Sequence, residues 1–204
     1  MQTKTLRTMV LLAGALILNT ALAAQQPTAK WHPQSYDVAA TASFERAQVA
    51  QTGTPSFWLK GGSLSGSATF YKGLGLAANL TVEHASNVTP GVSLGKVAYL
   101  FGPRYTRNIS KYTNKLTKTH PTTLFGEALF GGVHGYDSLF PSGTTTTSSA
   151  NAFSMQIGGG IDLTLHKGFG IRPIELDYVH SNLPNNAANS QNDFRVAFGV
   201  VWRK

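Results

Sequence analysis

From Tyr36 to Trp202 large apolar residues recur at every second position, and that period-2 pattern, broken at intervals by turn residues, admits an all-β fold and little else. In the sixth expected strand Phe153, Met155, Ile157, Ile161, Leu163 and Leu165 share one face, while Ser154, Gln156, Gly158, Gly160, Asp162 and Thr164 share the other. The eighth repeats this with Phe194, Val196, Phe198, Val200 and Trp202 against Arg195, Ala197 and Gly199. The third sets Leu74, Leu76, Ala78, Leu80 and Val82 against Gly75, Ala77, Asn79, Thr81 and Glu83, and the fourth sets Val97, Tyr99, Phe101 and Tyr105 against Lys96, Ala98, Gly102 and Arg104, with Leu100 as the exception.

The first strand (36–46) and the second (62–72) follow the same rule. The fifth, 122–134, leaves its parity open, because Glu127 shares a face with Phe125 and Leu129. The seventh, 168–181, contains Pro173, which cannot donate to a ladder. Strict alternation there points Arg172 away from Glu175 and Asp177, whereas a bulge at Pro173 puts all three on one side.

Which face turns inward decides the class of barrel. A soluble sandwich or lipocalin-type barrel fills its interior with the large apolar side chains. Here the polar face is mostly Gly, Ser, Thr and Ala, an odd choice for a solvated surface but one that suits a crowded, narrow lumen. The expectation is an eight-stranded antiparallel up-and-down transmembrane β-barrel, with Tyr36, Tyr71, Tyr105, Tyr178 and Trp202 as interfacial girdle residues. Averaging over two such faces also accounts for the near-neutral mean hydropathy of −0.08.

The N-terminus fits export. Lys4 and Arg7 precede the apolar run 9–18 and the small-residue stretch Ala21-Leu22-Ala23-Ala24, the layout of a signal peptide cleaved near Ala23 or Ala24. The expected organisation is a signal peptide at 1–24, a polar leader at 25–35 and a barrel at 36–204. Cysteine is absent, so export does not serve a disulfide framework. Without Lys4 and Arg7, 15 basic residues face 9 acidic ones, a surplus of +6 with no dense basic block. That balance argues against nucleic acid and for anionic lipid.

An even strand count puts both termini on one side, which in outer-membrane barrels is the periplasm. Lys72-Gly73 and His166-Lys167-Gly168 read as tight periplasmic turns, and 47–61, 85–95, 136–150 and 182–191 as longer outer loops. The connection 108–121 is long for a periplasmic turn and basic. Arg107, Lys111, Lys115 and Lys118 are candidate contacts for anionic lipid headgroups, the alternative being a merely solvated turn. On the polar parity, Glu45, Glu83, Arg104, Asp162, Glu175, Asp177 and Arg195 form a candidate lumen network, joined by Arg172 if the bulge exists. Buried charges require partners, so ion pairing that plugs the lumen is the expected role, and an open pore is not.

Several segments resemble a known family: Asn151-Ala152-Phe153, Gly158-Gly159-Gly160-Ile161-Asp162, Arg172-Pro173-Ile174-Glu175-Leu176-Asp177-Tyr178, Gln191-Asn192-Asp193-Phe194-Arg195, Phe101-Gly102-Pro103-Arg104 and Leu129-Phe130-Gly131-Gly132. They are similar to the outer-membrane β-barrel domain family related to OmpA and OmpX. The resemblance implies a Gram-negative outer-membrane location and passage through the outer-membrane assembly machinery, and it marks a fold more than an activity; a monomer with a structural or surface-interaction, adhesion-type role is the expectation. The chain stops after the last strand, so the peptidoglycan-binding domain of full OmpA-type proteins is not expected, and Trp202-Arg203-Lys204 stands where many barrels end on an aromatic residue.

An enzymatic alternative starts from His84-Ala85-Ser86-Asn87, which looks like the His-x-Ser-Asn segment of lipid A deacylase barrels. Ser86 would be the nucleophile and His84 the base, but Glu83 points the other way on a strand. In His180-Ser181-Asn182 the spacer is missing. The six histidines lack ligand spacing and no phosphate-cradling loop appears, so neither a metal nor a cofactor is expected.

Overall fold

The computed structural model describes residues 33–47, 56–89, 91–113, 120–142, 144–185 and 189–204. The expected signal peptide, most of the polar leader, Lys115 and Lys118 lie outside the described residues. Eight strands run in sequence, β1 (Ser35–Ala47), β2 (Phe57–Tyr71), β3 (Leu74–Thr89), β4 (Val92–Asn108), β5 (Thr122–Ser142), β6 (Thr145–His166), β7 (Phe169–Ser181) and β8 (Gln191–Arg203), with one helical turn, α1 (Ser110–Thr113), between β4 and β5. Each strand pairs antiparallel with its neighbours and β1 closes on β8, from Asp37 opposite Arg203 to Arg46 opposite Phe194. Closure leaves no free edge along the wall.

Two connections at the end carrying both termini are two-residue turns. Lys72 and Gly73 have φ of 46° and 90°, and Lys167 and Gly168 have 47° and 85°, the paired positive angles of a type I′ hairpin. The third, between β4 and β5, opens on an Asx turn, in which Ser110 N–H donates to Asn108 Oδ1 at 3.0 Å at the start of α1.

Burial is inverted relative to a soluble protein. Leu64, Phe101 and Val200 are 56–58% exposed on the outer wall, whereas Arg172 and Arg195 are 1% exposed inside. The small, polar parity therefore faces the lumen in the strands whose alternation is clean, β3, β6 and β8 among them. β5 also settles: Phe125, Glu127 and Leu129 point inward together.

The far end departs from the sequence expectation. Segments 85–95 and 136–150 are not loops, because β3 and β4 run on to a turn at Gly91, and β5 and β6 run to Ser142 and from Thr145. β-branched Thr145, Thr146 and Thr147 pair across the ribbon with Ser142, Pro141 and Phe140, and Phe140 is buried with Leu183. β2 likewise begins at Phe57, not Gly62, since Leu59 packs inward with Ala47 and Ala85. Polarity therefore implied longer loops than packing allows.

Candidate functional site in the barrel lumen

The irregularity at Pro173 arranges the densest part of the lumen. β7 loses register with β8 between Arg172 and Glu175, and with β6 between Ile161 and Leu163. Pro173 and Ile174 both face outward across this bulge, so Arg172, Glu175 and Asp177 share the lumen side.

Arg172 donates from Nε to Asp162 Oδ1 at 2.7 Å and from Nη1 to Glu175 Oε2 at 2.7 Å. Arg195, on β8, donates from Nη2 to Glu175 Oε1 at 2.7 Å and to Asp177 Oδ2 at 2.8 Å, and crosses the lumen to Thr81 Oγ1 at 3.0 Å. Glu175 thus bridges two guanidinium groups. Arg104 lies 3.5 Å from Glu127 and 3.8 Å from Asp162, and both Arg104 and Arg172 stack over the Phe125 ring, at 3.7 and 4.2 Å from its centroid. A second group surrounds Lys96, which pairs with Glu45 and lies 3.5 Å from Glu83, whose other oxygen accepts from Ser43 Oγ at 2.6 Å.

The structure brings all seven residues of the candidate lumen network, with Arg172, into ion pairs. It adds members that the sequence reading passed over. Lys96 and Asp37 share the polar parity of their strands, a signal that was present. Glu127 was hidden by apolar neighbours on its own face. Arg203, in the terminal Trp202-Arg203-Lys204, turns inward, pairing with Asp37 and donating to Thr123 Oγ1 at 2.6 Å and Asp162 Oδ2 at 3.1 Å. Two buried carboxylates at the mouth of the lumen draw it in.

Charge is partitioned. Of the chain's nine acidic residues, eight (Asp37, Glu45, Glu83, Glu127, Asp162, Glu175, Asp177 and Asp193) are buried in the lumen, opposite the five cations Lys96, Arg104, Arg172, Arg195 and Arg203. Only Asp137 is left for the outside, which is otherwise cationic where it is charged at all. The charges sit mainly on β6, β7, β8 and β1. The wall from β3 to β5 gives the lumen an apolar sector of Ala77, Ala98, Leu100, Leu129 and Val133.

Glu127, Glu175 and Asp177 bring carboxylate oxygens within 4.8 Å of one another, the only such grouping with metal-ligand geometry among the described residues. Arg104, Arg172 and Arg195 already answer these charges. Gly158 makes the grouping fit: it stands in register between Glu127 and Asp177, and a Cβ there would lie 2.0 Å from Asp177 Oδ1.

Outside the lumen, His84 and Ser86 both face outward on β3, with Ser86 Oγ 3.4 Å from His84 Nε2. Glu83 faces the opposite way, into the Lys96 group, so this pair has no orienting carboxylate from its own strand. His180 is held by Asn192 and Asn182 at 2.9 and 2.8 Å, while Ser181 turns inward to Gln191, which separates that second pair. At the turn end Arg107 and Lys111 are exposed.

No family model and no curated protein matches this chain. Solved structures do. Neisserial surface protein A aligns with a TM-score of 0.61 over 82% of this chain and 96% of its own, at 12% identity. Ail, the attachment invasion locus protein of Yersinia pestis, aligns at 0.54 over 85% and 100%, with 16% identity, and its complex with the heparin analogue sucrose octasulfate aligns at 0.52 over 83% and 98%, again with 16% identity. At such identities the likeness establishes a shared fold, the small eight-stranded antiparallel barrel.

Proposed function

We propose that this protein is a Gram-negative outer-membrane barrel with a structural or surface-interaction role, its lumen plugged by the ion-pair network. The inverted burial carries the reading. An outer wall of large apolar side chains far exceeds the few-hundred-Å² patches that soluble monomers tolerate, and is what a hydrocarbon layer requires. Tyr36, Tyr71, Tyr105 and Trp202 lie outward near the turn end and Trp58 near the loop end, as headgroup-level anchors. Export by the 1–24 signal peptide, insertion by the outer-membrane assembly machinery, a monomeric state and periplasmic termini belong to the same reading.

The plugged lumen argues against conduction, since eight strands leave room for side chains alone. Contact with other surfaces then falls to the long β5–β6 and β3–β4 ribbons, and the adhesion-type role is in keeping with Ail, a neighbour named for attachment. A hydrolytic role for Ser86 and His84 rests on one 3.4 Å contact between exposed side chains and lacks the acid that orients such a base. The non-enzymatic reading is therefore preferred. At the turn end, Arg107 and Lys111, with Lys115 and Lys118, are proposed contacts to anionic phospholipid headgroups, each contributing about 1 kcal/mol.

The test is folding into phospholipid vesicles followed by electrophoresis with and without boiling. A stable barrel migrates differently when unboiled. Identical migration, with protein left outside the vesicles, would overturn the reading. Flotation of a variant with Lys111, Lys115 and Lys118 changed to Gln tests the rim contacts: reduced dependence on anionic lipid is expected, and unchanged dependence would remove them from the proposal.

A further inference from the structure

Among the described residues, two cations lie close together on the outer wall at the loop end, Arg46 on β1 and Lys60 on β2, with the His84 imidazole of β3 beside them. Lys60 stands directly opposite His84 on one side and Phe44 on the other, and Arg46 stands opposite Trp58, one diagonal step from Lys60. Arg46, Trp58, Lys60 and His84 are all exposed on the outward face. Ser56 Oγ accepts from Arg46 Nε at 3.0 Å and so steadies the guanidinium without neutralising it.

Arg46 and Lys60, like charges one diagonal step apart on adjacent strands, repel each other unless an anion lies between them. The chain supplies no such anion. Asp37, Glu45 and Glu83, the acidic residues on these strands, point into the lumen, and segment 48–55 contains none. Asp137 follows Tyr136, which is three strands along in register from Lys60 through His84 and Gly95. That is roughly 14 Å at about 4.8 Å per strand, beyond the screening length of about 8 Å at physiological salt.

The cluster also sits at a defined depth. Just toward the turn end, the same outward face becomes apolar at Leu64, Leu80 and Val82, while Trp58 stands beside the cations. This is the level of the headgroups in the loop-side leaflet. In a Gram-negative outer membrane that leaflet is lipopolysaccharide, whose lipid A carries phosphate monoesters at that depth.

We propose that Arg46, Lys60 and His84 form a binding site for a phosphate group of lipid A on the outward face of β1–β3. The guanidinium offers a planar fork to the phosphate oxygens, the ammonium a mobile point charge, and the imidazole a further N–H. The proposal rests on the outer-membrane reading and its orientation. It gives the charge partition a purpose, since burying the acids leaves this patch free to hold an anion.

Native mass spectrometry of the detergent-purified, folded full barrel tests it, with bisphosphorylated lipid A, lipid A stripped of phosphate, and phosphatidylglycerol as probes. Wild type should retain bisphosphorylated lipid A over the stripped form. Arg46→Gln with Lys60→Gln should weaken that binding about thirtyfold and weaken phosphatidylglycerol binding by clearly less. Arg46→Lys with Lys60→Arg should keep it.

Unchanged lipid A binding in the Gln variant would overturn the site, and so would an equal loss of phosphatidylglycerol, which would mark a generic phosphate collar. If the Gln variant does not fold, equal wild-type affinity for phosphorylated and stripped lipid A overturns the proposal by itself. Failure of the outer-membrane reading is separately visible, as absence of the boiling-dependent gel shift in wild type.

Discussion

Arg172 Nε lies 2.7 Å from Asp162 Oδ1, and the two meet only because β7 bulges at Pro173. Without the extra outward residue, Arg172 would point out of the barrel, away from Asp162, Glu175 and every other lumen carboxylate. Asp162 in turn serves Arg104 and Arg203, so it anchors three cations from three strands.

Removing the shared acid should therefore hurt more than removing one of the cations. Asp162→Leu is expected to destabilise the barrel by about 3–5 kcal/mol, because Arg104, Arg172 and Arg203 each lose one of their two carboxylate partners at once. Arg172→Met should cost less, since Asp162 keeps Arg203 and Glu175 keeps Arg195. Urea unfolding in vesicles gives the order directly, and equal losses would show that the pairs are independent.

A single methyl group tests the row that joins Glu127 to Asp177. Gly158→Ala places a Cβ 2.0 Å from Asp177 Oδ1 and 2.3 Å from Leu176 O, so a loss of about 1–3 kcal/mol is expected. At Gly66, where a Cβ meets only Asp37 O at 3.9 Å, the same change should be neutral or stabilise by roughly 0.5–1 kcal/mol.

Depth on the outer wall should set the cost of charge. Leu80→Arg, in the middle of β3, is expected to cost about 2–4 kcal/mol, and Tyr71→Arg, beside the Lys72 turn, about 0–1. Folding titrations of both variants in the same vesicles check this. Equal costs would be inconsistent with a hydrocarbon layer spanning β3.

Much of this architecture was legible in the sequence because each strand repeats one rule. The strands of cleanest parity, β3, β6 and β8, keep their apolar sets outward, and the two readings left open at Pro173 differ only by a bulge. What was not legible depended on contacts between strands. Glu127 looked like a break in an apolar face until Leu129 and Val133 proved to line the apolar sector of the lumen. Lys96 needed Glu45 and Glu83 from other strands to explain its burial, and Arg203 needed Asp37 and Asp162. The Thr-rich stretch after Pro141 read as a loop from polarity alone, although its β-branched residues extend a two-stranded ribbon.

Conduction gives an independent check on the plug. In planar bilayers wild-type protein is expected to show no stepwise current at moderate voltage, because Arg195 spans the lumen to Thr81 and the β3–β5 side is filled by Leu100 and Leu129. Discrete, reproducible steps from folded protein would mean that the network yields to ions and water.

The proposed membrane reading requires that the exposed leucines of the outer wall face lipid and the buried ones line the lumen. Methyl NMR of leucines in lipid nanodiscs, with a paramagnetic label on the acyl chains, tests it without altering the protein. Leu64, Leu76 and Leu80, between 43% and 56% exposed on the outer wall, should be strongly broadened, while Leu59, Leu100 and Leu129, at 5% or less, should keep sharp signals. Broadening of the second set in place of the first, or of neither, would contradict the account.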